Sequence, residues 1–164
     1  MVTILLKEER SNKRTCDTCS ECCKVLKIEE LDKPAGKRCP HQKKGGGCEI
    51  YESRPASCRV FTCGWLQGFG PEETRPDITK VVLDCRTLPN PKDGWIVQMW
   101  EVEEGRLTTK WVTAVTNFCL KNGLWVAHLP LTGKRRFSCR QVYREKKGER
   151  WYGWSIVKPA NGNI

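Results

Sequence analysis

The spacing of cysteines between residues 16 and 58 constrains the fold of this chain more than any other feature. Seven of the eleven cysteines lie in this stretch, and Cys63 follows closely. The first four form the pattern CxxCxxCC, from Cys16 to Cys23. Two intervening residues let a tight turn aim both sulfurs at one point, at the roughly 2.3 Å of a zinc–thiolate bond. A third cysteine at the same interval lets three thiolates hold one face of an iron–sulfur cube.

The sequence therefore predicts a metal centre with thiolate ligands. The ligand candidates are the eight N-terminal cysteines: Cys16, Cys19, Cys22, Cys23, Cys39, Cys48, Cys58 and Cys63. They could make two four-ligand sites, or one cluster with spare structural thiols. A [4Fe–4S] cluster is the preferred cofactor, because three evenly spaced cysteines and a distant Cys39-Pro40 echo bacterial ferredoxin ligation. Separate CxxC turns suit Zn²⁺ as an alternative.

Three side chains near the last ligand candidates are expected to support the centre without binding the metal. Arg54 and Arg59 flank the Pro55 turn. Their guanidinium groups either lock this loop by bonding carbonyls or Glu52, or lower the thiolate pKa and stabilise an anionic cluster. The two roles are compatible. Tyr51 is expected to pack over the site.

Adjacent Cys22 and Cys23 point in different directions in most backbone conformations, so they are not expected to serve one metal equally. The two histidines and the three remaining cysteines are not expected to bind the metal. His41 lies in a lysine-flanked loop typical of exposed histidines, and His128 lies in a strand pattern typical of a surface or half-buried residue. Buried cysteine behaves as a small hydrophobe, so core packing is expected for Cys85, Cys119 and Cys139.

The amino-terminal residues and the cysteine count predict a reducing, cytoplasmic compartment and no membrane association. The short apolar patch at residues 2–6 is too short for a signal-peptide core, and no run approaches the length of a membrane span. An odd number of cysteines cannot all form disulfides. In a reducing compartment, clustered cysteines favour metal ligation.

We predict an α+β chain with two units and a tail. Residues 1–66 form a metal-stapled, cysteine-rich unit, because residues 15–66 have little apolar periodicity and residues 37–47 must be a loop. Short helical turns are expected after Cys19, around residues 49–53, and from Pro55 as a first helical residue.

Residues 67–157 are predicted to form a small ββαββ unit, followed by a loose tail at 158–164. Alternating or apolar runs predict strands at residues 78–85, 95–103, 124–129 and 137–143. The 3–4 spacing of apolar residues between 110 and 120 predicts an amphipathic helix that ends before Asn122-Gly123.

Positive charge accumulates near the carboxyl end. Of the net +10, residues 1–66 carry +4, residues 67–120 carry −2 and residues 121–164 carry +8. A solvated hairpin face is the ordinary interpretation of such a patch. As a contact surface it would meet an acidic protein, which we predict, or nucleic acid. The candidate contact residues are basic or aromatic: Lys134, Arg135, Arg136, Lys146, Lys147, Arg150, Trp151 and Trp154.

The stretch from Cys16 to Phe61 resembles the CxxCxxCC zinc- or iron-chelating proteins, a related cysteine domain of which occurs in flagellin lysine N-methylases. The resemblance rests on the CxxCxxCC run, Cys39-Pro40 and the segment Cys48-x-Ile-Tyr-Glu-x-Arg-Pro-x-x-Cys58-Arg. It covers about residues 14–66. Residues 65–83 also resemble small bacterial or phage members with a compact carboxyl-terminal sheet. The resemblance implies a bound zinc or iron centre, and it implies no settled activity.

These observations favour a metal-binding protein with a structural or interaction role, for example as a component of a larger assembly, over two alternatives. One alternative is a redox or cluster-assisted group-transfer enzyme. The other is a nucleic-acid-binding protein that uses the basic patch. No Ser-His-Asp set, phosphate-binding loop or dinucleotide fingerprint is present, and the dispersed carboxylates offer no acid–base pair.

Overall fold

Short helices and a small sheet make up the described part of the chain, in keeping with the predicted α+β class. The computed structural model describes residues 14–87, 95–122, 124–131 and 155–157. Its helices are α1 (Cys22–Val25), α2 (Ala56–Val60), α3 (Pro76–Thr79) and α4 (Lys110–Lys121). Its strands are β1 (Val81–Thr87), β2 (Trp95–Glu101), β3 (Trp125–Leu129) and β4 (Ser155–Val157).

The chain divides into two compact units, the first ending at Leu83 and the second beginning at Asp84. The sequence predicts the boundary between the two units earlier, after residue 66. The segment that follows residue 66 folds back onto the cysteine-rich part: the Gly64 amide donates to the Leu83 carbonyl at 2.8 Å, and Lys80 pairs with Glu21 at 2.5 Å.

Helices of four or five residues characterise the first unit. The helical turn expected after Cys19 is α1, and α2 begins directly after Pro55, which takes the cap position instead of the first helical one. Residues 49–53 form turns without a helix. The buried apolar residues described between 14 and 66 are few: Val25, Ile28, Cys39, Cys63 and Trp65.

The predicted strand at 78–85 begins later than expected. Residues 76–79 form helix α3, with Pro76 at its first turn, and Lys80 ends the helix in a left-handed conformation at φ 59°. Because proline favours a first helical turn, Ile78 lies in that helix and is exposed. Strand β1 therefore starts at Val81.

The sheet has the strand order β1-β2-β3-β4. Strands β2 and β3 pair in parallel, with Ile96 opposite Trp125, and α4 connects them. Strand β4 pairs with β3 antiparallel. The strand predicted at 137–143 and the tail at 158–164 lie outside the described residues.

Helix α4 confirms the amphipathic helix that the apolar spacing of residues 110–120 predicts. Thr109 caps it by accepting the Val112 amide, and Val112, Thr116 and Cys119 form its buried stripe. His128 was expected at or near the surface, but it is buried at 8% exposure. Its Nε2 atom lies 2.9 Å from the Thr116 hydroxyl, which provides the polar partner that a buried imidazole needs.

A buried carboxylate joins the two ends of the β2–α4–β3 crossover. Glu101, at the end of β2, is 5% exposed. Its carboxylate accepts the Leu107 amide at 3.3 Å and the Leu131 amide at 3.1 Å. Within the described ranges, no helix has both the length and the apolar character needed to cross a membrane.

Candidate metal centre

The first CxxC pair forms the tight turn that its spacing predicts. The Cys19 amide donates to the Cys16 carbonyl at 2.6 Å, and Asp17 adopts a left-handed conformation at φ 42°. The Thr15 hydroxyl donates to the Asp17 carboxylate at 2.5 Å.

Arg14 fixes the chain at the point where this turn begins. Its guanidinium group donates to the carbonyls of Trp65 and Gly70, both at 2.8 Å, and pairs with Glu72 at 3.0 Å. The group also stacks 4.8 Å from the Trp65 ring centre. These contacts hold the Cys16 turn beside the segment that follows Cys63.

The glycine loop packs against the Cys16–Cys19 turn. The loop (residues 42–48) closes on itself through a bridge between Gln42 and Cys48, and the Gln42 side chain donates to the Ser20 hydroxyl at 2.7 Å. Gly46, at φ 103°, approaches so closely that a Cβ there would lie 1.9 Å from the Thr18 carbonyl oxygen. Only glycine fits this position.

Helix α2 carries Cys58 and is held by an acidic side chain. The Glu30 carboxylate accepts the Ser57 amide at 3.0 Å and the Ser57 hydroxyl at 2.8 Å. Helix α1 begins with Cys22 and Cys23, so the second half of the CxxCxxCC run is also set by a helix start. Sequence spacing alone could not have identified Glu30, because its partner lies 27 residues away.

All ten cysteines in the described ranges are free thiols. Seven of the eight ligand candidates form one electrostatic neighbourhood, in which one thiolate raises the pKa of another. Cys63 raises the pKa of both Cys16 and Cys19, and Cys23 raises that of Cys16. The pKa of Cys22 is raised by Cys23, Cys16 and Cys19. The pKa of Cys58 is raised by Cys23 and Cys39. Cys48 is half-buried at the end of the glycine loop.

Burial is the main cause of the raised pKa of three of these thiols. It raises the pKa of Cys19 to about 11 and raises those of Cys16 and Cys58. Backbone amides of Glu21 and Asp77 donate to the Cys19 sulfur and partly offset this effect. Amide donors of this kind stabilise a thiolate, and a bound cation would remove the remaining penalty on its charge.

The thiols of Cys22 and Cys23 lie within hydrogen-bonding reach of one another, so these adjacent side chains do not point apart as expected from the sequence. The Cys22 thiol donates a hydrogen bond to the Cys23 sulfur, which raises the pKa of Cys22 well above its usual value. The same bond lowers the pKa of Cys23 to about 7.

The three predicted supporting residues occupy different environments. Arg54 lowers the pKa of both Cys16 and Cys23, and its guanidinium carbon lies 3.9 Å from the Tyr51 ring centre. Tyr51 is 46% exposed and contacts Arg54 through this stacking. Arg59 is exposed in the last turn of α2.

Two buried charged residues belong to the same neighbourhood and were missed by the sequence analysis. Glu21, inside the CxxCxxCC run, is 7% exposed and pairs with Lys80. Lys33 is 4% exposed, and this burial lowers the pKa of its ammonium group. The nearby thiols of Cys39, Cys23, Cys22 and Cys58 act in the opposite direction and favour its charged form. A lysine or glutamate is rarely buried without a partner, so no sequence signal distinguished these two from surface residues.

The thiols share this neighbourhood without a ready-made coordination geometry. Across the described ranges, no three or more His, Cys, Asp or Glu side chains converge closely enough to hold a metal ion. The donor set itself suits a thiolate-bound metal: soft sulfur ligands select zinc and iron–sulfur clusters. His41 is half-buried in the loop after Cys39.

Several residues proposed from the sequence lie outside the described part. They are Cys139 and the whole basic and aromatic patch of Lys134, Arg135, Arg136, Lys146, Lys147, Arg150, Trp151 and Trp154. Cys119 is fully buried on α4, as core packing predicted, and Cys85 is half-buried on β1. Burial raises the pKa of Cys85 to about 11 and that of Cys119 to about 12.

The chain matches no protein-family model, no curated protein and no solved structure. The resemblance to the CxxCxxCC proteins therefore stays an expectation drawn from the cysteine motif. The functional interpretation of the chain rests on the geometry and electrostatics of the first unit.

Proposed function

We propose that this protein binds a metal through the cysteines of its first unit and that the centre serves a structural or protein-interaction role. The observation that supports this most is the group of seven free thiols, contributed by separate chain segments, in one partly buried neighbourhood. Disulfides do not account for their clustering. Two cationic side chains, Arg54 and Lys33, accompany them, as expected for a site that carries thiolates.

A [4Fe–4S] cluster is the preferred occupant and Zn²⁺ the alternative. The candidate ligands are Cys16, Cys19, Cys22, Cys23, Cys39, Cys48, Cys58 and Cys63. An iron–sulfur cluster would add one-electron redox capacity, whereas zinc would act as a structural link. In both cases the residues of the chain supply charge, amide donors and a partly buried setting.

The metal is proposed as a folding requirement of the first unit. Helices of four or five residues and few buried apolar side chains give residues 14–66 little packing of their own. Structural metal binding contributes on the order of 10 kcal/mol at neutral pH. We therefore expect Cys19→Ser and Cys58→Ser each to lose metal and order in this segment together, whereas the control Cys85→Ser keeps its metal.

Metal and acid-labile sulfide analysis of protein purified without oxygen tests the proposal, with hydrogen exchange to follow order in residues 14–66. A cube gives a broad band near about 400 nm and about four irons with four sulfides per chain. Colourless protein with zinc would change the metal and leave the folding requirement in place. A metal-free wild-type chain with full protection of residues 14–66 would overturn the proposal.

The proposed partner is an acidic protein surface that meets the basic and aromatic residues between 134 and 154. This part of the proposal rests on sequence charge alone. The two alternative functions are distinguishable from it by simple measurements. Steeply salt-dependent binding to generic nucleic acid would favour a nucleic-acid role, and a reversible redox midpoint would favour an enzyme.

A further inference from the structure

Lys33 is a buried lysine in the middle of the cysteine-rich unit. It follows the short turn Glu29–Leu31, and its backbone pairs in both directions with Ile28, at 2.9 and 3.0 Å. The whole residue is 4% exposed. Lysine is almost never buried to this extent unless its charge has partners.

The ammonium group of Lys33 uses all three of its hydrogen bonds on backbone carbonyls. Nζ donates to the carbonyls of Lys24 at 3.1 Å, Pro34 at 3.0 Å and Leu26. Lys24 lies within α1 and Leu26 caps its carboxyl end, so Lys33 closes the helix that begins with Cys22 and Cys23.

These carbonyls satisfy hydrogen bonding but carry no net charge. In the residues that the structure covers, no carboxylate pairs with Lys33. Removing an unpaired ion from water is expensive, and a nearby opposite charge offsets this cost. The groups that can become negative around Lys33 are the thiols of Cys22, Cys23, Cys39 and Cys58.

We propose that Lys33 positions Cys22 and Cys23 and supplies the counter-charge for a thiolate-bound metal centre of net negative charge. This inference rests on the proposed function. Four thiolates around a dipositive ion or cluster carry about −2 in total, so an adjacent buried cation stabilises the loaded site more than the protonated thiols. The site is thereby selective for an anionic, all-thiolate centre.

A purely structural brace is the competing explanation, and three substitutions separate it from a counter-charge. Lys33→Met removes charge and carbonyl bonds, whereas Lys33→Arg keeps the charge on a differently shaped group. Lys37→Met removes an exposed lysine from the same segment and serves as the control. Each full-length chain is loaded with Zn²⁺, which is then withdrawn by a chelating dye and, separately, by acid.

We expect Lys33→Met to weaken zinc binding by about 10- to 100-fold, as loss of a supporting residue does at other metal sites. Lys33→Arg should stay within about threefold of wild type, and Lys37→Met should match wild type. The pH at which acid releases half of the bound zinc should rise in Lys33→Met, because the thiolates lose a stabilising charge. It should stay unchanged in Lys33→Arg.

The outcomes distinguish this inference from the function on which it rests. A wild-type chain that takes up neither zinc nor iron overturns both. If wild type binds zinc and Lys33→Met binds it equally well, or if the methionine and arginine variants lose affinity equally, the counter-charge is refuted while the metal centre stands. If Lys33→Met does not fold, Lys33→Arg is compared with Lys37→Arg, and a deficit of about tenfold or more in the former refutes the inference.

Discussion

Replacing Gly46 with alanine places a methyl group against the backbone of the turn that carries Cys16 and Cys19. The new Cβ would lie 1.9 Å from the Thr18 carbonyl oxygen and 2.9 Å from its carbon. Because Cβ atoms are not found closer than about 3 Å to such atoms, the glycine loop would have to move away from the turn by more than about 1 Å. The hydrogen bond between Gln42 and Ser20 spans the same interface and would be strained with it.

Gly45 provides a reference that separates backbone strain from steric displacement in the free-energy cost of Gly46→Ala. Gly45 also has a positive φ, of 87°, but a Cβ there meets nothing within 4 Å. Gly45→Ala therefore carries only the left-handed strain, about 1–2 kcal/mol. Gly46→Ala carries that strain, about 1–3 kcal/mol for the forced displacement and about 1 kcal/mol for the weakened hydrogen bond.

Urea unfolding of the two metal-loaded variants measures the difference. We expect Gly46→Ala to be less stable than Gly45→Ala by at least about 2 kcal/mol, which is roughly a 1 M lower midpoint at a typical slope. Gly46→Ala should also bind metal more weakly, because the displaced turn holds two ligand candidates. Equal midpoints for the two variants would show that the loop does not press on the turn, and the geometric reasoning would fail.

Three other predictions concern stability. Arg14→Met leaves two carbonyls without their donor and should cost about 2–4 kcal/mol in denaturant unfolding, whereas Glu72→Gln, at an exposed partner, should change stability by less than about 0.5 kcal/mol. Glu101→Gln turns an amide donor toward one of two backbone amides and should cost about 1–3 kcal/mol, against almost nothing for exposed Glu103→Gln. Burial lowers the pKa of His128 below its usual 6.5, so the fold is most stable when this imidazole is neutral. The free energy of unfolding should therefore fall by up to about 1.4 kcal/mol per pH unit as the pH drops from about 6.5 toward the folded-state pKa. If the free energy of unfolding of His128→Gln depended on pH in the same way as that of wild type, this reasoning would be contradicted.

Helix α4 and strands β2 and β3 of the second unit were predictable from sequence, since their apolar periods are clear, whereas strand β4 (Ser155–Val157) was not predicted. Helix α4 was expected at residues 110–120 and runs over Lys110–Lys121, with its stripe at Val112 and Cys119 buried. Strand β2 was expected at 95–103 and ends at Glu101. In the first unit, the strand predicted from residue 78 begins only at Val81. That prediction was wrong because a β-branched run outweighed the helix-starting signal of Pro76.

The first unit was predictable in its motif but not in its supporting contacts. Spacing indicated the turn at Cys16, and the position of Arg54 beside Pro55 made it a candidate supporting residue. It could not indicate Lys33, whose three carbonyl partners exist only once the chain has folded around it. Glu30 was missed for a related reason, since its contact with Ser57 joins residues far apart in sequence. Polar residues recruited across a fold leave no local pattern.

The two amide donors of the Glu101 carboxylate determine when the second unit can finish folding during its synthesis. One of its amide donors, Leu107, leaves the ribosome almost together with it, but the other, Leu131, is made 30 residues later. Until then one carboxylate oxygen of Glu101 lacks its donor. Domains generally fold as units during translation, so the crossover should close only after Leu131 emerges, and a chain stalled before that residue should present β2 and α4 to chaperones as an unfinished surface.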